Sequence, residues 1–240
     1  MPDARARDRS RIEDALAALQ RALSELDAPW MVIGGIAVIA HGVQRMTTDI
    51  DVVIRGDAVH VPVLLKALRR HHIVARIDGA EAFAATNLVL LTRHRPTEVD
   101  LDLSLGWTSF EHEALQARAA TRYGKVSVPM ARVDDLIVFK AIAARPRDID
   151  DAVTLLALYP HIDMARVRAR VRTLARAAEA PELEQGLADI VAASTAATKH
   201  RSLAPRSRNR RVRSAAKIGT ARPRSTRKAP KRPRKKPARH

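Results

Sequence analysis

No cysteine occurs among the 240 residues of the chain. Its absence excludes disulfides, thiolate nucleophiles and cysteine-ligated zinc. Aromatic residues are scarce at 3%, so a core has to be assembled from Ala, Leu, Val and Ile. No run approaches the roughly 18 consecutive apolar residues of a membrane span. The opening stretch MPDARARDRSRIEDALAAL is charged and lacks an apolar segment, so no signal peptide is expected. These absences predict a soluble, cytoplasmic protein with no membrane partner. Gly-x-Ser-x-Gly and Gly-x-x-x-x-Gly-Lys-Ser/Thr are both missing, which argues against a serine hydrolase and a P-loop NTPase. The nine histidines show no ligand spacing, so a histidine-based metal site is not expected.

Acidic residues are missing from Lys199 to His240, a stretch that holds 18 Lys and Arg. Residues 1–198 carry 25 basic and 26 acidic side chains, so the formal net charge of +17 is a property of the tail. Beyond Ser202 the sequence is Arg, Lys, Pro and Ser with little to bury, and it is expected to be disordered. Such charges release counterions from RNA or DNA and give salt-sensitive, sequence-blind binding. The tail has no aromatic side chain on which bases could stack. A solvated run with no specific partner is the alternative reading.

Between the termini, hydrophobic periodicity alternates between strand and helix. Residues 11–26 space Ile12, Leu16, Leu19, Leu23 and Leu26 as an amphipathic helix. Residues 30–33 read as a strand, 36–41 as a short helix with Gly42 at its end, 49–54 as a buried strand and 58–70 as a helix. Residues 87–91 and 98–103 read as strands that pair across the polar turn 93–97. Residues 111–120 are predicted helical and 125–128 extended. Four helices follow, at 133–144, 149–158, 164–178 and 181–196. The resulting expectation is an α/β (α+β) mixed sheet with flanking helices over residues 1–130, a helical C-terminal segment over 131–198 and a disordered Lys/Arg/Pro-rich tail over 199–240.

The chemistry concentrates in WMVIGGIAVIAHGVQRMTTDIDVVI, residues 30–54. A strand runs into Gly34-Gly35 and then a helix, a turn whose free N–H groups suit a phosphate. Asp49 and Asp51 are two apart on the next strand, so both carboxylates point to one face. Two buried carboxylates so close call for a cation between them. On 98–103, Asp100 and Asp102 share one face, with Val99, Leu101 and Leu103 on the other. Four aspartates on two strands make an oxygen-rich site of the kind magnesium prefers, with one ion or two. Carboxylates that merely project into solvent from strand ends are the plainer reading. Lys140 falls on the apolar stripe of its helix, where it either snorkels outward or points at negative charge. Arg145, Asp148 and Asp151 are open to two readings, a helix-start ion-pair cluster or part of a site.

The order Gly34-Gly35, Asp49-x-Asp51 and a further strand aspartate resembles the DNA polymerase beta-type nucleotidyltransferase superfamily. Within it, the chain is most similar to the AbiEii-like group, which includes toxins of bacterial toxin–antitoxin pairs. Arg45, Thr47, Asp49 and Asp51 match the group's Arg-x-Thr-x-Asp-x-Asp motif. Asp102, Ser104, Leu105, Gly106, Phe110 and Glu111 resemble its Asp-x-Ser-Leu-Gly…Phe-Glu motif, and Lys140, Arg145, Pro146, Asp148 and Asp151 its Lys…Arg-Pro-x-Asp-x-x-Asp motif. The resemblance spans roughly residues 10–180 and has no counterpart for the tail. It implies a nucleotidyltransferase fold and magnesium-dependent transfer of a nucleoside monophosphate from a nucleoside triphosphate such as ATP. The acceptor would be an RNA such as tRNA, a protein or a small molecule, and a cognate antitoxin would be a partner. By the same resemblance, Asp49 and Asp51 hold the metal and Asp102 is the third carboxylate and metal ligand, with Asp100 competing for that place. Gly34, Gly35, Arg45, Thr47 and Lys140 would contact the nucleotide. The contrasting expectation is a catalytically silent, nucleic-acid-binding or antitoxin-like interaction protein.

Overall fold

A computed structural model describes residues 4–203, and the tail expected to be disordered lies, from Ala204 onward, outside the described residues. The described chain contains seven strands and nine helices: α1 (Ala4–Leu23), β1 (Trp30–Val32), α2 (Gly34–Ala40), β2 (Asp49–Arg55), α3 (Val61–Arg70), β3 (Ile73–Ala75), α4 (Ala80–Asn87), β4 (Val89–His94), β5 (Val99–Gly106), α5 (Ser109–Ala117), β6 (Ala119–Tyr123), β7 (Val126–Met130), α6 (Val133–Ala143), α7 (Pro146–Leu158), α8 (Met164–Ala177) and α9 (Leu183–Leu203). The strands form one sheet in the order β3-β4-β5-β2-β1-β7-β6. Pairing is mixed: β2–β5 and β1–β7 are parallel, the remainder antiparallel. This is the mixed sheet with flanking helices that the periodicity predicts.

The central pair β2–β5 places the site, and its sequence explains why. Ile50, Val52, Val53 and Ile54 are all at most 1% exposed, so β2 is packed on both faces along most of its length. On β5, Val99, Leu101 and Leu103 are buried while Asp100, Asp102 and Ser104 are half-buried, the period-2 alternation of a strand with one polar face. The α1 helix packs against β2, β5 and β7 with Ile12, Leu16, Leu19 and Leu23 buried. Each such side chain contributes about 1.5–3 kcal/mol when removed from water.

Several boundaries differ from those read in the sequence. The short β3 and the α4 helix carry no clear apolar period; α4 begins after Gly79, whose φ of +64° admits glycine easily. The predicted helix 111–120 ends at Ala117, and β6 takes up the residues after it. Being an edge strand, β6 buries only Tyr123, so it leaves no alternation to read. The α2 helix begins at Gly34 rather than residue 36, and Gly42 does close it, with φ of +99°.

Helix α6 is packed on by α2, α7, α8 and α9. Its Leu136, Ile137, Val138, Lys140 and Ala141 are all buried, so it has no single apolar stripe and Lys140 has no route to snorkel into solvent. Arg170 of α8 ties this segment to the sheet layer: it bonds to the buried Asp135 of α6 and to Glu113 of α5, with its guanidinium 5.6 Å from the Phe110 ring. Among the described residues, no helix is long and apolar enough to cross a membrane.

Candidate active site

The first element of the site is the β1–α2 junction. Gly34 has φ of +60°, and a Cβ there would fall inside the Asp51 carboxylate. A Cβ on Gly35 would lie 2.6 Å from Thr47 Oγ1. Both positions are thus kept bare by side chains of β2 and the loop before it, and the Gly35 N–H donates to the Asp51 carboxylate. Gly34→Ala is expected to destabilise the fold by about 2–4 kcal/mol, from left-handed backbone strain together with displacement of Asp51. Thermal denaturation of the variant checks it, and a melting temperature equal to wild type would show that the junction tolerates a side chain.

The second element is the carboxylate row. Asp49 and Asp51 share one face of β2, and Cα pairing sets Asp49 opposite Asp100 and Asp51 opposite Asp102 on β5. Burial raises the Asp51 carboxyl above the ordinary range, repulsion from Asp49 and Asp102 raises it further, and Lys140 acts against both. Burial likewise raises Asp102, opposed by Arg76. Asp100 is the opposite case: the hydrogen bond from Arg93 holds it below the ordinary range, helped by the charge of Arg76. Arg93 Nε sits 2.6 Å from Asp100 Oδ1 and Arg76 Nη1 3.1 Å from Oδ2. Asp100 is therefore saturated by two guanidinium groups, and of the two aspartates on β5 it is Asp102 that is coupled electrostatically to both Asp49 and Asp51.

The third element comes from the helical segment. Lys140 Nζ lies 2.6 Å from Asp148 Oδ1 and 3.0 Å from Asp151 Oδ2, with all three side chains almost fully buried. Arg45 pairs with Asp151, and Arg145 Nε with Asp148 Oδ2 at 2.6 Å. Burial pushes Asp148 up, but the hydrogen bonds from Arg145 and Lys140 outweigh it and leave the group below its usual range. Asp148 and Asp151 thus anchor the cations, so both readings of this cluster hold at once: an ion-pair network at the start of α7 that is also one wall of the site.

These elements enclose a pocket of about 260 Å³, with Gly35, Thr47, Asp49 and Asp51 on one side and Lys140, Arg145 and Arg147 on the other. Thr47 Oγ1 donates to Asp49 Oδ1 at 2.6 Å. A larger cavity of about 670 Å³ adjoins it and shares Arg45 and Thr47 as a wall. Of the residues singled out in the sequence, Gly35, Arg45, Thr47, Asp49, Asp51, Lys140, Arg145 and Asp148 line the pocket; Gly34 lies beneath Asp51, and Asp102 is its neighbour on β5. Phe110 and Glu111 do other work: Phe110 packs on Phe139, and Glu111 forms a capping box with Thr108 at the start of α5. Arg76 and Arg147 are additions that no sequence motif points to.

The donor set suits a divalent cation in part. Carboxylates of Asp49, Asp51 and Asp102 repel one another at a half-buried place, which a hard cation relieves. Yet among the described residues no three acidic or histidine side chains stand grouped to hold one. Thr47 engages Asp49, the Gly35 N–H engages Asp51, and Arg76 engages Asp102. The oxygen donors fit magnesium once the third carboxylate turns.

A family model described as a nucleotidyltransferase of unknown function (DUF6036) matches residues 10–191. The solution structure of the antibiotic-resistance factor ANT(2'')-Ia is similar at 19% identity and a TM-score of 0.51, covering 71% of this chain and 94% of that one. A crystal structure of an antigenic nucleotidyltransferase-like protein from Paracoccidioides brasiliensis is similar at 15% identity and a TM-score of 0.45, covering 76% of this chain and 93% of that one. No curated protein matches. The likeness to ANT(2'')-Ia shows the fold that the sequence resemblance implies.

Proposed function

The chain belongs to the DUF6036 family of nucleotidyltransferases, and from that premise we propose that it transfers a nucleoside monophosphate from a nucleoside triphosphate to an acceptor hydroxyl. The observation that carries this reading is the placement of Asp49, Asp51 and Asp102 on adjoining strands beside a pocket walled by Lys140, Arg145 and Arg147. Magnesium held by Asp49 and Asp51, joined by Asp102, would supply charge stabilisation to the phosphoryl oxygens and the leaving pyrophosphate. The remaining work falls to the protein. Arg145, Arg147 and Lys140 bind the triphosphate and balance its charge. The acceptor oxygen attacks the α-phosphorus as the bond to the β-phosphate breaks, and Asp102 takes the hydroxyl proton.

The small pocket falls below the roughly 300–1,000 Å³ of a usual small-molecule site, so it suits the phosphates alone. The adjoining cavity then receives ribose and base over Ile12, Ile39 and Val43.

The acceptor in this proposal is RNA. The 18 Lys and Arg of residues 199–240 support that choice, because a polycationic run concentrates a polyanion near the site. The AbiEii-like motifs support a toxin role in a toxin–antitoxin pair, with a cognate antitoxin as protein partner. The test incubates full-length protein with magnesium, total RNA and each radiolabelled nucleoside triphosphate in turn. Labelled RNA is the expected product; label on protein or on a small molecule would move the acceptor, and no label anywhere would sink the activity. A chain ending at Leu203 loses 16 of those 18 charges. It is expected to bind RNA more weakly and with a flatter salt dependence, by about one log–log unit per lost phosphate contact, while transferring to saturating RNA as before.

A further inference from the structure

Arg76 is the residue of the site that the proposed reaction leaves unused. It follows β3, and its backbone N–H donates to the Leu91 carbonyl at 3.1 Å, which fixes its Cα beside β4. Its side chain nevertheless ends on β5, two strands away in the sheet order. Neighbouring strands are about 4.8 Å apart, so the guanidinium reaches across β4 with its stem extended. There it forks, with Nη1 3.1 Å from Asp100 Oδ2 and Nη2 on Asp102 Oδ1. Arg93 secures Asp100 independently at 2.6 Å, whereas Arg76 is the only cationic partner of Asp102 among the ion pairs of the described residues. A fork spanning two carboxylates gives a directional hold that a point charge cannot.

We propose that Arg76 is a positioning residue that serves as an internal counter-ion: it holds Asp102 in the ligand-free chain and has to release it before a divalent cation gains its third carboxylate. This rests on the reading of Asp49, Asp51 and Asp102 as cation ligands. It explains why three aspartates that repel one another are not grouped around a common point. Cation and guanidinium compete for the same oxygen of Asp102, so the chain binds metal more weakly than its carboxylates alone would. The competition keeps the third carboxylate neutralised until a doubly charged ion arrives. Asp100 stays with Arg93 throughout, which separates the two aspartates of β5 into a structural one and a functional one.

The experiment titrates full-length protein with Mn²⁺ without nucleotide, following free Mn²⁺ by electron paramagnetic resonance. Arg76→Ala is expected to bind Mn²⁺ about tenfold more tightly than wild type, the size of one hydrogen-bonded charge contact removed from the competition. Arg76→Gln should behave alike, and Arg76→Lys, which keeps the charge without the fork, should fall between. Arg93→Ala removes an equal charge from Asp100 alone and should change the affinity less than about twofold, its contact being a screened, part-exposed one. Equal affinities for wild type and the Arg76 variants would overturn the proposal. Equal gains from Arg76→Ala and Arg93→Ala would overturn it too, because the effect would then be the general field of the charges. If no variant binds Mn²⁺ and Asp102→Asn changes nothing, the cation site itself is wrong, a result distinct from either of the others. Thermal melts of each variant establish that the compared proteins are folded.

Discussion

Asp51→Ala is expected to reduce nucleotidyl transfer by about a thousandfold, while the purified variant stays folded. Asp51 is central in the carboxylate row, opposite Asp102 on β5 and two residues from Asp49. It is also the carboxylate in contact with the phosphate-side junction through the Gly35 N–H. Losing it costs the cation one of its two ligands on β2, and a cation supplies several kcal/mol of transition-state stabilisation in reactions of this kind. About 4 kcal/mol corresponds to three decades in rate. The fold tolerates the change because Asp51 is destabilised where it stands, by burial first and then by repulsion from Asp49 and Asp102. Relief of that repulsion offsets the lost hydrogen bond from Gly35. Single-turnover rates with labelled nucleoside triphosphate, beside thermal melts in metal-free buffer, measure both parts. A variant with wild-type turnover would remove Asp51 from the chemistry.

Why the carboxylate row is legible in the sequence while its counter-ions are not follows from the range of the forces involved. Strand period 2 is local, so Asp49 with Asp51 and Asp100 with Asp102 are assigned to common faces from spacing alone. Which β5 aspartate belongs to the site depends on the β2–β5 register and on Arg76 and Arg93, contacts between residues 7 to 51 apart in the chain. No periodicity encodes the reach of Arg76 across β4. The same limit governs Lys140: a helix with one apolar face has a stripe, but α6 is enclosed by four other helices, and its lysine is buried by neighbours far along the chain. Strands β3 and β6 are hard to read for the reverse reason. They lie at the two edges of the sheet, where few side chains are buried and the local pattern fades. Gly34 and Gly35 stand out as a pair, yet the cause of both is the approach of Asp51 and Thr47, which only the folded chain displays.

Lys140→Met is expected to destabilise the fold by about 3 kcal/mol and to weaken nucleoside triphosphate binding, and the two effects can be separated. Lys140 makes two charge-assisted contacts, to Asp148 at 2.6 Å and Asp151 at 3.0 Å, with all three side chains at most 6% exposed. Each such bond contributes about 1.5–3 kcal/mol, and removing one member of a buried pair leaves the other short of compensation. Arg45 and Arg145 remain to hold Asp151 and Asp148, which keeps the loss near 3 kcal/mol rather than at the upper end of that range. For a chain of this size the corresponding fall in melting temperature is about 6–12 °C. The loss depends on pH. In the wild type Asp148 lies below its usual range, so the stability it contributes is present above the unfolded carboxylate pKa and is lost only as pH falls through the lower folded value. Without Lys140 the burial of Asp148 is less opposed and its pKa rises, so the deficit of the variant is largest near neutrality and shrinks as the group protonates in acid. Adding Asp148→Asn removes the undercompensated carboxylate and leaves the 75%-exposed Arg145 to water, so the double variant should regain most of the stability. It should not regain affinity, because the pocket still lacks its ammonium. Melting curves from pH 4 to 8 and nucleotide titrations on both variants test this. If the double variant recovers stability and binding together, Lys140 is only a structural partner of Asp148, and the phosphate-binding role passes to Arg145 and Arg147.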